Sequence, residues 1–380
     1  MNLLKQFNHE MYHRQTHRDY KSNWQRLHLD PNLLVGLLLL IGAGLTVLYS
    51  ATFQDSQVMI RQLVRIGIAF AILLVFAQIP VKRYVSITPW VFMMGLGILV
   101  SVLLIGKVGK GAQRWLELGA FRFQPSELMK LVVPMMAAWY LAKKPNPPKL
   151  QHIIMATLLI LIPAMLIARQ PDLGTAIVVV LSGGGVLLFA GLKWRYVIGL
   201  ICTIAAAAPF LWRYLHDYQK QRVLTFLNPE TDPLGSGYHI IQSKIAIGSG
   251  GLFGKGWLNG TQSQLHFLPE HATDFIFAVA SEEFGLVGSS ILLILTLCIT
   301  GRAFYIASHA NDQYSRLLAA SIGLTFFLSA FVNIGMVIGI LPVVGLPLPL
   351  VSYGGTSMLT IMAGFGILMA IHTESRFATY

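Results

Sequence analysis

From Leu317 to Thr373 the chain carries no Lys, Arg, Asp or Glu over 57 residues. A helix rises about 1.5 Å per residue and a bilayer's hydrocarbon core is about 30 Å thick, so about 20 apolar residues make one crossing. The run is therefore too long for one helix. Pro342, Pro347 and Pro349 divide it in two, because proline lacks the amide donor and blocks helix continuation. Eight further apolar stretches precede it: Leu33–Ala51, Leu63–Ile79, Tyr84–Gly106, Pro125–Ala142, Leu150–Ala168, Leu173–Leu192, Tyr196–Trp212 and Asp274–Gly301. The expectation is an all-α polytopic membrane protein with ten transmembrane helices. A long loop, 213–273, joins the seventh span to the eighth.

Composition narrows the class further. Charged residues make up 12% of the chain against about 25% in an average soluble domain, while 55% is hydrophobic. That balance excludes a disordered chain and an ordinary soluble enzyme. The net charge of +12 is too dilute to point to nucleic acid, so no nucleic-acid partner is expected. Cys202 and Cys298 lie inside apolar runs and give no disulfide framework. Residues 1–30 are polar and basic without an apolar signal core, so the first span is expected to be an uncleaved anchor.

An even number of spans puts both termini on one side. If that side is cytoplasmic, it holds fifteen Lys and Arg against five Asp and Glu, leaving thirteen against eleven elsewhere. Lys82-Arg83, Lys143-Lys144-Lys149 and Lys193-Arg195 all fall on that face, as basic residues do in cytoplasmic connections. The expected organisation is a cytoplasmic segment 1–30, a membrane domain 31–373 with 213–273 outside, and a cytoplasmic tail 374–380.

Ionisable groups inside spans cost about 2.5–3.5 kcal/mol on insertion scales and normally face a cavity or a partner. Glu127 and Lys130 share a face of the fourth span. They read either as an internal ion pair or as a basic contact for an anionic ligand. Asp172 suits a helix N-cap, where a carboxylate accepts from unpaired amides. Asp274, where the long loop meets the eighth span, is again a cap by spacing. It also has the setting a general base needs, reachable and partly desolvated. Glu282 and Glu283 are expected to make structural pairs. The run Gly248-Ser-Gly-Gly-Leu-Phe-Gly-Lys-Gly256 departs from a nucleotide-binding P-loop. With Lys244 and Lys255 nearby it offers amides to a diphosphate, or else is a plain loop. Arg114 and Trp115 offer a cation and an aromatic platform for a sugar, with an interfacial belt as the alternative for Trp115. Ser352 is expected to contact substrate with its hydroxyl from a broken-helix segment, of the kind tolerated at membrane depth only when buried or lining a cavity.

Seven ordered segments carry a resemblance: Lys110-Gly-Ala-Gln-Arg-Trp115, Arg122-Phe-Gln-Pro-Ser-Glu127, Gln170-Pro-Asp-Leu-Gly-Thr175, Asp232-Pro-Leu-Gly-Ser-Gly-Tyr-His239, Gln242-Ser-Lys-Ile-Ala-Ile-Gly-Ser-Gly-Gly251, Phe267-Leu-Pro-Glu-His-Ala-Thr-Asp-Phe275, and Pro347 to Thr356. Together they resemble the SEDS family (shape, elongation, division and sporulation), in a form closer to its elongation branch. The likeness runs from about Leu29 to His372. Many members carry an acidic residue where this chain has Gln170.

The resemblance implies a peptidoglycan glycosyltransferase that polymerises lipid II at the outer face of the bacterial inner membrane. Its implied partners are a class B penicillin-binding protein, the elongation machinery and membrane lipids. The family's essential carboxylate falls on Asp274, and its cavity-lining residues fall on Glu127, Lys130 and Asp172. Inverting glycosyl transfer needs one base for the acceptor hydroxyl and positive charge for the departing diphosphate. Lys130, Arg114 and Arg222 are the candidate contacts, with or without a divalent cation (Mg or Mn). Two rivals remain at this level: a lipid II flippase, and a non-catalytic elongation scaffold. The charged helix residues other than Glu282 and Glu283 gather toward the outer end of the bundle, which favours chemistry at one surface over translocation.

Overall fold

The computed structural model describes residues 28–109, 112–118, 121–214, 217–232, 235–265, 267–268 and 270–377. The apolar stretches fold as helices: α1 (Pro31–Ala51), α2 (Ser56–Ala77), α3 (Val81–Ile105), α4 (Pro125–Ala142), α5 (Leu150–Arg169), α6 (Leu173–Phe189) and α7 (Trp194–Tyr214). The connection after α7 holds α8 (Asp217–Leu227), a 3-10 turn (Pro229–Thr231), α9 (Ser236–Gly250) and α10 (Thr261–Gln264). Then come α11 (Ile276–Ser308), α12 (Gln313–Ile338) and α13 (Thr356–Phe377). Seven of these, α1, α2, α3, α5, α11, α12 and α13, are long and apolar enough to cross a membrane, and α6 and the first part of α7 are shorter apolar helices.

The boundaries follow local chemistry. Asp30 caps α1 through the Asn32 amide, Pro31 occupies the first turn, and Asp55 caps α2 through the amides of Gln57 and Val58. Each satisfies donors that a helix start leaves open. Asp30 also holds Arg302 of α11 at 2.7 Å. The centre of the bundle is α4, α6, α12 and α13. α4 is buried along almost its whole length, Glu127 and Lys130 included.

Two features depart from a purely helical reading. The 107–123 connection is a three-stranded antiparallel sheet, β1 (Lys107–Gly109), β2 (Ala112–Leu118) and β3 (Phe121–Phe123). Leu116 pairs with Phe123, Glu117 with Arg122 and Leu118 with Phe121 in antiparallel register.

The second departure is a break in α11 at Gly285 (φ 64°, ψ −157°). There the amides of Lys255 and Gly256 donate to the carbonyls of Glu282 and Glu283, both at 3.0 Å. In return the amides of Leu286 and Val287 donate to Gly251 (2.9 Å) and Leu252 (3.1 Å). The glycine run thus replaces two helix hydrogen bonds, Leu286 to Glu282 and Val287 to Glu283, with a reciprocal set of four. A Cβ on Gly254 would lie 2.1 Å from the Glu283 carbonyl oxygen, so this approach requires glycine. The diphosphate cradle expected here is corrected: the Lys255 and Gly256 amides are held by the helix they break. The plain-loop alternative gives way to a docked segment.

Candidate active site

The acidic and basic residues singled out from sequence sort into three groups. The first is structural. Glu282 is fully buried and accepts from Lys255 Nζ (2.7 Å), Thr261 Oγ1 (3.0 Å) and the Gln262 amide (3.0 Å). Glu283 accepts from Ser50 at the end of α1. Glu282 clamps the glycine segment to the break, as expected of a structural pair, while Glu283 ties the break to α1. The Lys255 ammonium donates to both Glu282 and Thr261 Oγ1, each at 2.7 Å, and so is engaged in holding the fold.

The second group sits where the sheet meets the start of α4. Asp172 caps α6 through the Thr175 amide (3.4 Å), and its other oxygen accepts from Gln124 Nε2 and Ser126 Oγ, both at 2.9 Å. Arg114 reaches across with Nη1 4.0 Å from Asp172, Nε donating to the Gln170 carbonyl at 3.2 Å and Nη2 to the Pro171 carbonyl. All three guanidinium nitrogens face the α5–α6 turn, where unpaired helix carbonyls favour a cation. Arg114 therefore ties the sheet to that turn. Trp115 is half-buried beside it on β2.

One residue beyond Ser126, Glu127 pairs with Lys130 at 2.7 Å in near-complete burial. The internal ion pair forms, and it also lines a groove. The walls come from α4 (Glu127, Lys130, Leu131, Pro134), α12 (Ser321 to Ser329) and α13 (Thr360 to Phe365), which leave an open groove between them. Ser321, Thr325 and Ser329 each donate to a carbonyl of their own helix, so the wall they present is effectively apolar. An ammonium carries three donors. Glu127 is the single partner of Lys130 among the described residues, which leaves donors for a ligand.

The third group surrounds Asp274, which is half-buried. The cap position of α11 falls on Phe275 and makes no side-chain capping bond, so Asp274 is not the cap residue. Its carbonyl accepts from Asn333 Nδ2 at 2.8 Å. The same amide group donates to Leu346 at 2.6 Å, in the segment that follows α12. Ser352, buried, donates to the Thr273 carbonyl at 2.5 Å and accepts from the Leu348 amide at 2.7 Å. Its hydroxyl is engaged with the main chain, which makes it a support where substrate contact was expected.

The second and third groups touch. Gly174, two residues past Asp172, lies so close to Val344 and Leu346 that a Cβ there would be 3.0 Å from Val344 and 3.2 Å from Leu346. Between those two residues, Gly345 faces Asp274: a Cβ on it would be 3.5 Å from Oδ2.

The remaining expected contacts are placed less directly. Lys244 is exposed, with its Nζ 2.9 Å from where a Cβ on Gly339 would stand, at the C-terminal cap of α12. A cation suits that helix end. Arg222 is in α8, and its side chain lies outside the described residues. No group of three or more His, Cys, Asp or Glu side chains gathers among the described residues.

Two residues escaped the sequence reading. Asn333 is fully buried and central to the Asp274 support. His239 stacks on Phe275 (centroids 5.7 Å, planes 18° apart), and burial pushes its imidazole below the ordinary histidine value against the opposing pull of Glu270 and Asp232. A signal for Asn333 was present: Ser321, Thr325, Ser329 and Asn333 recur every four residues, one face of a helix.

Comparison with known proteins bears on this geometry. A family model for FtsW, RodA and SpoVE, described as cell cycle protein, matches residues 28–377. The peptidoglycan glycosyltransferase MrdB of Escherichia coli (strain K12) is 52% identical over 357 residues, 94% of this chain and 96% of that protein. The peptidoglycan glycosyltransferase RodA of Treponema pallidum is 31% identical over 91% of this chain and 98% of its own. Among solved structures, one described as "Structural coordination of polymerization and crosslinking by a peptidoglycan synthase complex" superposes with TM-score 0.80 at 32% identity, covering 91% of this chain and 98% of the other. The crystal structure of Thermus thermophilus rod shape determining protein RodA gives TM-score 0.69 at 27% identity, over 93% of this chain and 98% of that one.

Proposed function

The chain belongs to the FtsW, RodA and SpoVE family of cell cycle proteins, and from that premise we infer which residues perform its reaction. It is a peptidoglycan glycosyltransferase of the MrdB and RodA type, a multi-pass membrane enzyme that polymerises lipid II. We read α4, α6 and α7 as spans beside the seven longer helices. The termini are then cytoplasmic and the Asp274 end of the bundle faces outward, as the distribution of basic residues supports.

In this reading Asp274 takes the proton from the 4-hydroxyl of the acceptor's N-acetylglucosamine. The hydroxyl oxygen forms the new bond to the donor's anomeric carbon. The bond from that carbon to the diphosphate breaks, and its electron pair leaves with undecaprenyl diphosphate. A single displacement inverts the centre and needs one base. Lys130 meets the developing negative charge, and Glu127 holds the ammonium in place. The groove between α4, α12 and α13 takes the prenyl chain. Asp172 and Arg114 fix the wall beside it. Where a divalent cation takes part, Asp274 and the substrate phosphates are the oxygen ligands on offer, the set such ions prefer.

The observation that carries this reading is the course of α12. Its Ser329 lies in the groove, and Asn333, one turn or about 6 Å further, holds Asp274. The proposed base therefore stands just beyond the end of an apolar groove with an ammonium in its wall. A cross-linking partner of the class B penicillin-binding type fits an enzyme that makes glycan without joining its peptides. The test is purified protein with fluorescent lipid II. Glycan polymer on a gel supports the reading. Transfer of lipid II between vesicle leaflets with no polymer formed would establish the flippase instead.

A further inference from the structure

Three consecutive carbonyls leading into α11 are held from across the molecule. Ala272 accepts from the Tyr353 amide at 2.9 Å, Thr273 from Ser352 Oγ at 2.5 Å, and Asp274 from Asn333 Nδ2 at 2.8 Å. None of the three donors belongs to the helix that the segment starts. Two belong to the broken-helix segment between α12 and α13, and the third to α12. The donors are themselves tied together, since Asn333 also donates to Leu346 and Ser352 accepts from Leu348. Both side chains are more than nine-tenths buried, Asn333 at 0% and Ser352 at 3% exposure.

A buried amide donating twice into main-chain carbonyls is a demanding arrangement. Asn333 Oδ1 is buried with no hydrogen-bond partner, which costs about 1–3 kcal/mol. For helix stability alone, an apolar residue at this position of α12 would avoid that cost. The arrangement instead fixes the main chain on both sides of the Asp274 Cα: His239 stacks on the following residue, Phe275, while the three hydrogen bonds hold 272–274.

We propose that Asn333 and Ser352 form a positioning clamp for the glycosyl-transfer step, holding the Asp274 backbone so that its carboxylate meets the acceptor hydroxyl in register. The clamp rests on the assignment of Asp274 as base. It acts through main-chain carbonyls and touches no substrate. A misplacement of about 1 Å lowers rates of such steps by about a hundredfold. The clamp therefore governs kcat, while KM for the lipid-linked substrate, set in the groove, is left nearly alone.

The experiment measures kcat and KM of lipid II polymerisation for the purified full chain with its transpeptidase partner. The variants are Ser352→Ala, Ser352→Thr, Asn333→Asp and Asp274→Asn, each with a thermal melt. Ser352→Ala and Asn333→Asp are expected to lower kcat by about ten- to a hundredfold with KM changed by less than about threefold. Ser352→Thr, which keeps the hydroxyl, is expected to recover most of the rate. If Ser352→Ala fails to fold, Asn333→Asp, nearly isosteric but unable to donate twice, decides alone. Unchanged kcat in folded Ser352→Ala or Asn333→Asp, or a loss residing wholly in KM, overturns the clamp. If Asp274→Asn polymerises at the wild-type rate, the base assignment itself has failed. If it is inactive while the clamp variants are normal, only the clamp has.

Discussion

Two acidic sites lie at the start of the same helix and are built in opposite ways. At the Gly285 break the carboxylates themselves are gripped: Glu282 binds Lys255, Thr261 and Gln262, and Glu283 binds Ser50. At Asp274, two turns earlier, the protein grips the main chain, through three carbonyls and an aromatic stack. The first pattern, at Glu282, is how a membrane protein makes a buried charge tolerable, by pairing it with a cation and surrounding it with donors. The second fixes where a side chain stands by holding the backbone beneath it, as a reacting group requires. Burial agrees, since Glu282 is at 0% exposure while Asp274 is half-buried.

Breaking the first pattern should affect folding and leave chemistry alone. Lys255→Ala leaves Glu282 buried and uncompensated, so a loss of about 3–5 kcal/mol is expected. It would be read as a lowered thermal midpoint in detergent, with kcat per folded molecule near wild type. Gly254→Ala should follow with about 1–3 kcal/mol, because the added Cβ meets the Glu283 carbonyl and φ is +81°. An unchanged melt for either variant would mean the glycine segment is not docked as described.

Sharpening the second pattern calls for kinetics. The double change Glu127→Gln with Lys130→Met removes the groove's ion pair without stranding either charge. It is expected to lower kcat/KM for lipid II by about ten- to a hundredfold, or 1.4–2.7 kcal/mol, while the melt shifts little. A smaller effect concerns pH. Burial holds His239 below the ordinary value of 6.5, so the unfolded chain binds this proton more readily than the fold does. Stability from this site is complete above pH 6.5 and declines as pH falls toward the lowered folded value. Melts at descending pH should show that decline in wild type and a flatter profile in His239→Gln.

What could be read from sequence divides along the same line. The helices were legible because lipid demands long runs without charge, and α4 runs from Pro125 to Ala142 as expected from its apolar stretch. Asp172 as a cap, and Glu282 with Glu283 as structural pairs, followed from local rules. The break at Gly285 did not, because a lone glycine in an apolar helix gives no sign that residues 251–256 will exchange hydrogen bonds with it. The same long-range pairing explains why the glycine run looked like an anion cradle: glycine for close approach to a helix and glycine for close approach to a phosphate are the same residue. Ser352 was noticed for its hydroxyl, but only the fold shows that hydroxyl turned onto the Thr273 carbonyl. The sheet was missed because its strands are short and lie in a connection expected to be polar and irregular.

Asp274 is proposed as the base of glycan polymerisation. That role is tested most directly by incubating purified lipid II with wild type and with Asp274→Asn, each alone and with the cognate transpeptidase. Polymer is expected from wild type and a loss of about a hundred- to ten-thousandfold in the variant, with an unchanged melt and undiminished transpeptidase binding. Polymer from a folded Asp274→Asn protein at the wild-type rate would contradict that role.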